Sequence, residues 1–243
     1  MKRYFITIEY DGSRYHGWQI QPNGLTVEGM VENALSTLLR QPIDVIGAGR
    51  TDAGVHARMM VAHFDFEGDL GLSHVKYKIN KILPKDISVI DIQEVLEDMH
   101  ARFSATSRTY HYYIHTRKDP FLDRYSCYIT YPLDFGLMNE AAEVLMGYTD
   151  FDAFCKSGSD QKTTLCDITE AQWFRNGDHS YYFRISANRF LRNMVRAIVG
   201  TLIDVGRGRL SIDDLRAIVE GRSRSAAGES MPANALFLEE VEY

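Results

Sequence analysis

Cysteine, proline and long apolar runs are all scarce in this 243-residue chain, and each scarcity removes a class of protein. The three cysteines, Cys127, Cys155 and Cys166, are scattered and include no CxxC pair. An odd, dispersed set suits neither a disulfide scaffold nor a zinc knuckle, and it fits a reducing cytoplasm. Six prolines, 45% hydrophobic residues and no low-complexity segment leave no disordered region of note. No apolar stretch approaches the roughly 20 residues that span a bilayer, so no membrane partner is expected. Glu9 interrupts the first ten residues, which read as a strand rather than a signal peptide, and a cytoplasmic location is expected. Glycine motifs that cradle phosphates are missing too: Gly47, Gly49 and Gly54 have neither GxGxxG nor P-loop spacing.

Positive charge is also short overall. A formal net charge of -6 argues, taken alone, against nucleic-acid binding, because affinity for phosphates comes mainly from Lys and Arg. Its distribution argues the other way. Between Arg184 and Arg224 there are nine arginines (184, 189, 192, 196, 207, 209, 216, 222, 224) against four acids (204, 213, 214, 220), a local balance of +5. Acidic charge is concentrated elsewhere, as in Glu94 to Asp98 and Glu239 to Glu242.

What the chain does have is a dense run from Gly47 to Ala57, Gly-Ala-Gly-Arg-Thr-Asp-Ala-Gly-Val-His-Ala. Val45 and Ile46 precede it as the end of an apolar strand and Met59 to Phe64 resume strand-like sequence, which places Asp52 on a loop. Glycines there permit positive φ and close backbone approach. Arg50, two residues before Asp52, points the same way in an extended segment and favours an ionised carboxylate.

The periodicities predict a strand at 2–10, a helix at 27–40 with Thr26 as N-cap and Pro42 beyond its end, strands near 43–48 and 59–66, a helix from N-cap Ser73 to Leu83, and a strand at 87–92. The second half predicts strands at 107–116 and 125–131, a helix at 134–146 and strands at 167–175 and 180–187 joined through Asn176-Gly177-Asp178. A long helix at 189–205, a short one after N-cap Ser211 and a final strand from Leu236 complete it. The order strand, helix, strand, strand, helix, strand is the split βαβ, ferredoxin-like pattern, and its weaker repeat suggests an internal duplication. The expected fold is therefore α+β with two ferredoxin-like subdomains, residues 1–103 and 104–243.

Four ordered blocks carry a family resemblance: Glu9 to Tyr15 with Gly17-Trp18-Gln19 and the Gly-Arg-Thr-Asp-Ala-Gly-Val-His run, His100 to Tyr110, Phe190 to Arg196, and the tail from Leu236 to Tyr243. Together they resemble the tRNA pseudouridine synthase A family over nearly the whole chain. The resemblance implies a continuous, mostly antiparallel sheet flanked by helices, with an active-site cleft between the subdomains. It implies conversion of uridine to pseudouridine in the tRNA anticodon stem-loop, at positions 38, 39 and 40, by a cofactor-free homodimer. Asp52 is then the catalytic carboxylate, a nucleophile, with attack at C1′, attack at C6 and removal of a sugar proton all left open. Tyr110 stacks on the flipped base and takes part in proton transfer, and Arg196 pairs with Asp52. Arg50 is the candidate to fill the space left by the extruded uridine, whose unstacking costs a few kcal/mol, with a structural salt bridge to Asp52 as the alternative.

Arg108, two residues from Tyr110, Arg192, four residues before Arg196, and Leu236 complete the expected substrate contacts. Arg14, Lys76, Lys78 and Arg189 are the candidates for the RNA backbone, with Lys81 beside them. A metal site is not expected, since His111 and His115 lie on a predicted strand and no third ligand accompanies them or His56. Two departures from the family pattern stand out: Cys166-Asp167-Ile168 where relatives carry an Arg-led triplet, and Ala235 where they carry Gly. The rival readings are a synthase of the same fold with another RNA target, a non-catalytic RNA-binding module, and a metal-dependent hydrolase using Asp52 and His56.

Overall fold

The computed structural model describes residues 1–159 and 162–243 and divides into two compact units, Met1–Thr106 with Leu238–Tyr243, and Ser107–Phe237. Among the described residues the chain is mixed α/β, with five α-helices and strand pairing that is mostly antiparallel.

The first unit runs β1 (Lys2–Tyr10), α1 (Val27–Leu39), β2 (Ile46–Gly47), β3 (His56–Phe66), α2 (Leu72–Ile82) and β4 (Ile87–Val95). β1 lies between β3 and β4, with Ile6 opposite Ala62 on one side and Ile92 on the other. Ile6, Ile8, Met60 and Ala62 are fully buried, and Val31 and Leu35 of α1 and Ile79 of α2 are buried as completely. β2 is shorter than the expected 43–48 strand because α1 takes over its backbone groups. Ser36 Oγ accepts the Ile43 N–H and Glu32 Oε1 accepts the Val45 N–H, so those amides have no need of a strand partner. Thr26 is the N-cap of α1 by position, yet its hydroxyl makes no capping bond; the carbonyls of Gly17 and Trp18 accept the N–H groups of Val27 and Glu28 instead. Ser73 is not the N-cap of α2. The helix begins at Leu72, and the Gly71 carbonyl accepts the N–H groups of His74 and Val75.

The second unit runs β5 (Ser107–His115), β6 (Cys127–Tyr128), α3 (Phe135–Leu145), β7 (Ile168–Arg175), β8 (Ser180–Ala187), α4 (Met194–Gly206) and α5 (Ile212–Gly221). β8 lies between β5 and β7, and β6 pairs with β5 in parallel over only two residues, short of the expected 125–131. The β7–β8 turn closes as expected, with the Asn176 N–H on the Ser180 carbonyl and Gly177 at φ 118°. Ser211 and Asp214 form a reciprocal capping box at the start of α5. α4 is buried on nearly every side, with Ala197, Ile198, Val199 and Leu202 at 0% exposure. A last strand, β9 (Leu236–Glu242), contributes its residues from Leu238 onward to the first unit.

The segment after β4 is fastened to the first unit by a histidine pair and two tyrosine and arginine anchors. Buried His63 accepts the Ala101 N–H through Nδ1 at 3.2 Å and packs edge-on to His100 at 4.6 Å. Tyr243 Oη donates to the Ala101 carbonyl at 2.7 Å, and Arg3, doubly bonded to Asp65, also donates to the Met99 carbonyl. Burial, together with the charges of Arg3 and His100, pushes the His63 pKa from 6.5 down to about 4. The folded value lies below the unfolded one, so acid protonates the unfolded chain first. Stability from this site is complete above pH 6.5 and is lost as pH falls toward 4. We expect urea unfolding to report a loss of about 3 kcal/mol between pH 7 and pH 4 from this group, and His63→Gln to lack that part of the slope. An identical pH profile in wild type and variant contradicts it.

Candidate active site

Asp52 sits on a loop that the rest of its unit holds by backbone contact. β2 ends at Gly47 and β3 starts at His56, and the Val55 N–H closes the turn on the Asp52 carbonyl at 3.1 Å. Gly54, at φ 81°, donates its N–H to the Tyr15 carbonyl at 3.2 Å. Two glycines of the 11–18 segment press on this loop. A Cβ on Gly12 would lie 1.9 Å from the Val55 carbonyl oxygen, and one on Gly17, itself at φ 91°, would lie 2.2 Å from that of Thr51. Both obstructing atoms are backbone, so only glycine fits. Buried Thr51 shares a hydrogen bond with the Tyr10 hydroxyl at 2.9 Å, which ties the residue before Asp52 to the end of β1. Asp52 itself is half-buried and Arg50 is exposed, one on each side of Thr51.

His56, at 0% exposure, completes the clasp. Its Nδ1 accepts the Gly12 N–H at 3.0 Å and also lies 3.2 Å from Asp11 Oδ1. The two contacts make opposite demands on one nitrogen. The bond from a fixed backbone N–H requires a lone pair there, so we assign the proton to Nε2; Asp11 Oδ1 accepts from the Ser13 N–H and hydroxyl. His56 is thus a pin between the Asp52 loop and the Gly12 turn. Behind the loop, Glu28 accepts the Trp18 indole N–H at 3.2 Å and the Ile20 N–H at 2.8 Å. Burial raises its pKa, and those bonds and the positive charge of Arg50 act against the shift.

In the second unit, β5 places Arg108 and Tyr110 on one face, opposite Ala187 and Ile185 of β8. Arg108 Nη1 donates to the Asn188 carbonyl at 2.8 Å, and the Tyr110 ring meets Phe190 edge-on at 5.1 Å. The expected helix from residue 189 does not start there. Asn193 is left-handed at φ 66° and interrupts the chain, so α4 begins at Met194. Arg189 and Arg192 therefore precede the helix, and Arg192, exposed, shares no helical face with Arg196. Arg196 lies in the first turn of α4, where Nε donates to the Met231 carbonyl at 2.5 Å and its own carbonyl accepts the Met231 N–H. Segment 228–231 is strapped to α4 by the Gly228 N–H, which Thr201 Oγ1 accepts at 2.9 Å, and is held further by bonds from Asn193, the N-cap, to Ser230 and from Arg224 to Gly228 and Ser230. Leu236 is buried at 5% exposure.

Of the RNA-backbone candidates, Arg14 is exposed and paired with Asp86 at 3.1 Å, while Lys76 and Lys78 lie on α2. His115 is buried and bonds Ser126, and His111 bonds Tyr113; among the described residues no three His, Cys, Asp or Glu side chains gather as a metal site. Cys166 is buried and burial pushes its thiol up to about 11. The Ala235 methyl is accommodated at 0% exposure in a single 3-10 turn. Tyr10, Gly12, Met231 and Arg224 are positioning residues whose contacts the sequence pattern did not reveal, and His56, weighed there only as a metal or hydrolase partner, is a structural pin. Gly12 and Gly17, in an otherwise aromatic and polar stretch, were the only available signal.

Comparison with known proteins places this arrangement among the pseudouridine synthases. The family profile described as tRNA pseudouridine synthase matches residues 6–104 and 141–243, which take in the Asp52 loop and α4; Arg108 and Tyr110 fall between the matched segments. The chain belongs to the tRNA pseudouridine synthase family. It is 56% identical to the tRNA pseudouridine synthase A of Bacteroides fragilis over 100% of this chain and 97% of that one. It is 53% identical to the protein of that name from Parabacteroides distasonis, covering 100% and 96%, and 41% identical to that of Acetivibrio thermocellus, covering 100% of both.

The clasp makes a direct prediction. Gly12→Ala and Gly17→Ala should each lose roughly 1–3 kcal/mol in chemical unfolding and lower pseudouridine formation at least about tenfold, by displacing the Asp52 loop. Wild-type rates in both variants contradict the clasp.

Proposed function

We propose that this tRNA pseudouridine synthase acts on the anticodon stem-loop, isomerising uridines at positions 38, 39 and 40, as a cytoplasmic homodimer without a cofactor. The reaction balances internally. The N1–C1′ bond breaks, the uracil turns, C5 bonds to C1′, N1 gains a proton and the C5 hydrogen leaves as a proton. No electrons are exchanged with a second reactant. We read both units as ferredoxin-like: β3 lies between β1 and β2, and β8 between β5 and β7, the insertion that defines a split βαβ.

The observation that carries the reading is the Asp52 loop. A carboxylate beside exposed Arg50, on a turn fixed by the backbone contacts of Gly12 and Gly17, is held as a reacting group must be held. In this reading Asp52, from subdomain 1–103, is the catalytic carboxylate, and Tyr110 and Arg196, from subdomain 104–243, work with it. Tyr110 stacks on the flipped base and relays the proton at C5, and Arg196 pairs with the Asp52 carboxylate. Arg50 occupies the gap in the RNA stack, and Arg108, Arg192 and Leu236 contact the substrate. Arg14 and Arg189 serve the RNA backbone with Lys76 and Lys78.

Unmodified tRNA transcripts carrying tritium at uridine C5 provide the test. Wild type should release tritium in proportion to uridines at positions 38, 39 and 40, with no effect of chelator, and Asp52→Asn should be slower by about three orders of magnitude or more. Release from other tRNA positions moves the substrate assignment. No release by wild type that still binds RNA identifies a binding module instead.

A further inference from the structure

Helix α2 carries positive charge that nothing in its unit neutralises. Between Gly71 and Lys85 the sequence holds His74, Lys76, Lys78, Lys81 and Lys85 without a single acid, in a chain whose formal charge is -6. The acids on either side are engaged: Asp69 with Lys2 at 2.6 Å, and Asp86 with Arg14 at 3.1 Å and the Tyr15 hydroxyl at 2.7 Å. Among the described residues, none of these four lysines forms an ion pair. Lys78 and Lys81 are three residues apart on α2, a spacing at which like charges destabilise a helix.

The helix is nevertheless rigid. Val75 and Ile79 are buried, and the Asn80 amide bonds both the N–H and the carbonyl of Val89, locking α2 to β4. Its outer side pairs the cations with an aromatic. Tyr77 is 59% exposed, Lys81 Nζ stands 5.4 Å from the centre of its ring, and Ser73, Lys76 and Asn80 join them around a shallow pocket of about 460 Å³. Unpaired lysines on a fixed helix, interleaved with an exposed ring, match a polyanion that also offers flat faces. An acidic overall charge repels such a polymer elsewhere, so a local basic face decides where it lands.

We propose that the outer face of α2 docks the sugar–phosphate backbone of the tRNA substrate, with Lys76, Lys78 and Lys81 on phosphates and Tyr77 against a ribose or base. This rests on the reading of tRNA as substrate and makes α2 a docking element apart from the chemistry of Asp52. Lys85, just beyond the helix, extends the same basic run.

The test is tRNA affinity measured across salt concentrations for wild type, the triple variant Lys76→Gln/Lys78→Gln/Lys81→Gln, and the charge-preserving triple change of the same lysines to Arg. The Gln variant should lose about two to three units of the log Kd against log salt slope and bind roughly ten- to a hundredfold more weakly near physiological salt. The Arg variant should keep the wild-type slope, and Tyr77→Ala should weaken binding several-fold with the slope intact. A Gln variant with wild-type slope and affinity overturns the docking face. Pseudouridine formation is a separate readout: its absence in wild type would remove the proposed function, while the salt slope would still decide whether α2 holds RNA.

Discussion

The loop that carries Asp52 depends on one backbone-to-backbone contact, that of residues 12–17 with residues 51–55. A loop carrying a charged side chain cannot be fixed by apolar packing of that side chain, because desolvating the charge opposes it. The chain solves this by gripping the loop through its main chain. Gly12 and Gly17 let two carbonyls come closer than any Cβ allows, and His56, Tyr10 and Tyr15 supply the bonds that set the register of the contact. Other features follow from the same segment. The carbonyls of Gly17 and Trp18 start α1, and Trp18 orients Glu28, whose carboxylate also faces the charge of Arg50.

The second unit uses different devices to place the side chains proposed to act with Asp52. Arg108 and Tyr110 are placed by a strand, where alternation fixes which residues share a face, and Tyr110 is steadied by the edge of Phe190. Arg196 is placed by a helix start, and the strap from Gly228 to Met231 bonds both its guanidinium and its backbone. Gly200 allows this strap to lie flat, since a Cβ there would meet the Glu229 carbonyl oxygen at 1.9 Å. Packing of α4 on the rest of its unit therefore also sets the arginine.

Where a signal was local and repeated, it could be read from sequence. The alternation at the start of β4, the helical period of α1, the Asn-Gly-Asp turn and the Ser211 cap all depend on neighbours within a few residues. The misreadings involve residues whose partners are distant in sequence. β2 is short because α1 side chains cap the Ile43 and Val45 amides ahead of it, and α4 starts late because Asn193, bonded to Ser230, adopts a left-handed conformation. Periodicity could not see that break, since Phe190 and Leu191 continue an apolar pattern up to it. The loop that carries Asp52, by contrast, was legible between two strands because glycines and charge coincide in one run. The residues that clasp it were not, because they lie some 40 positions earlier in the chain, Gly12 against Val55 and Tyr10 against Thr51.

In the proposed function, chemistry is held on the Asp52 loop and RNA recognition is carried by other surfaces. The most direct measurement is the single-turnover rate at saturating tRNA beside the equilibrium affinity for the same tRNA, in wild type and Asp52→Asn. The account predicts that affinity stays within about threefold while the rate falls by about three orders of magnitude or more. A parallel loss of affinity and rate, or a rate that survives the substitution, would contradict it.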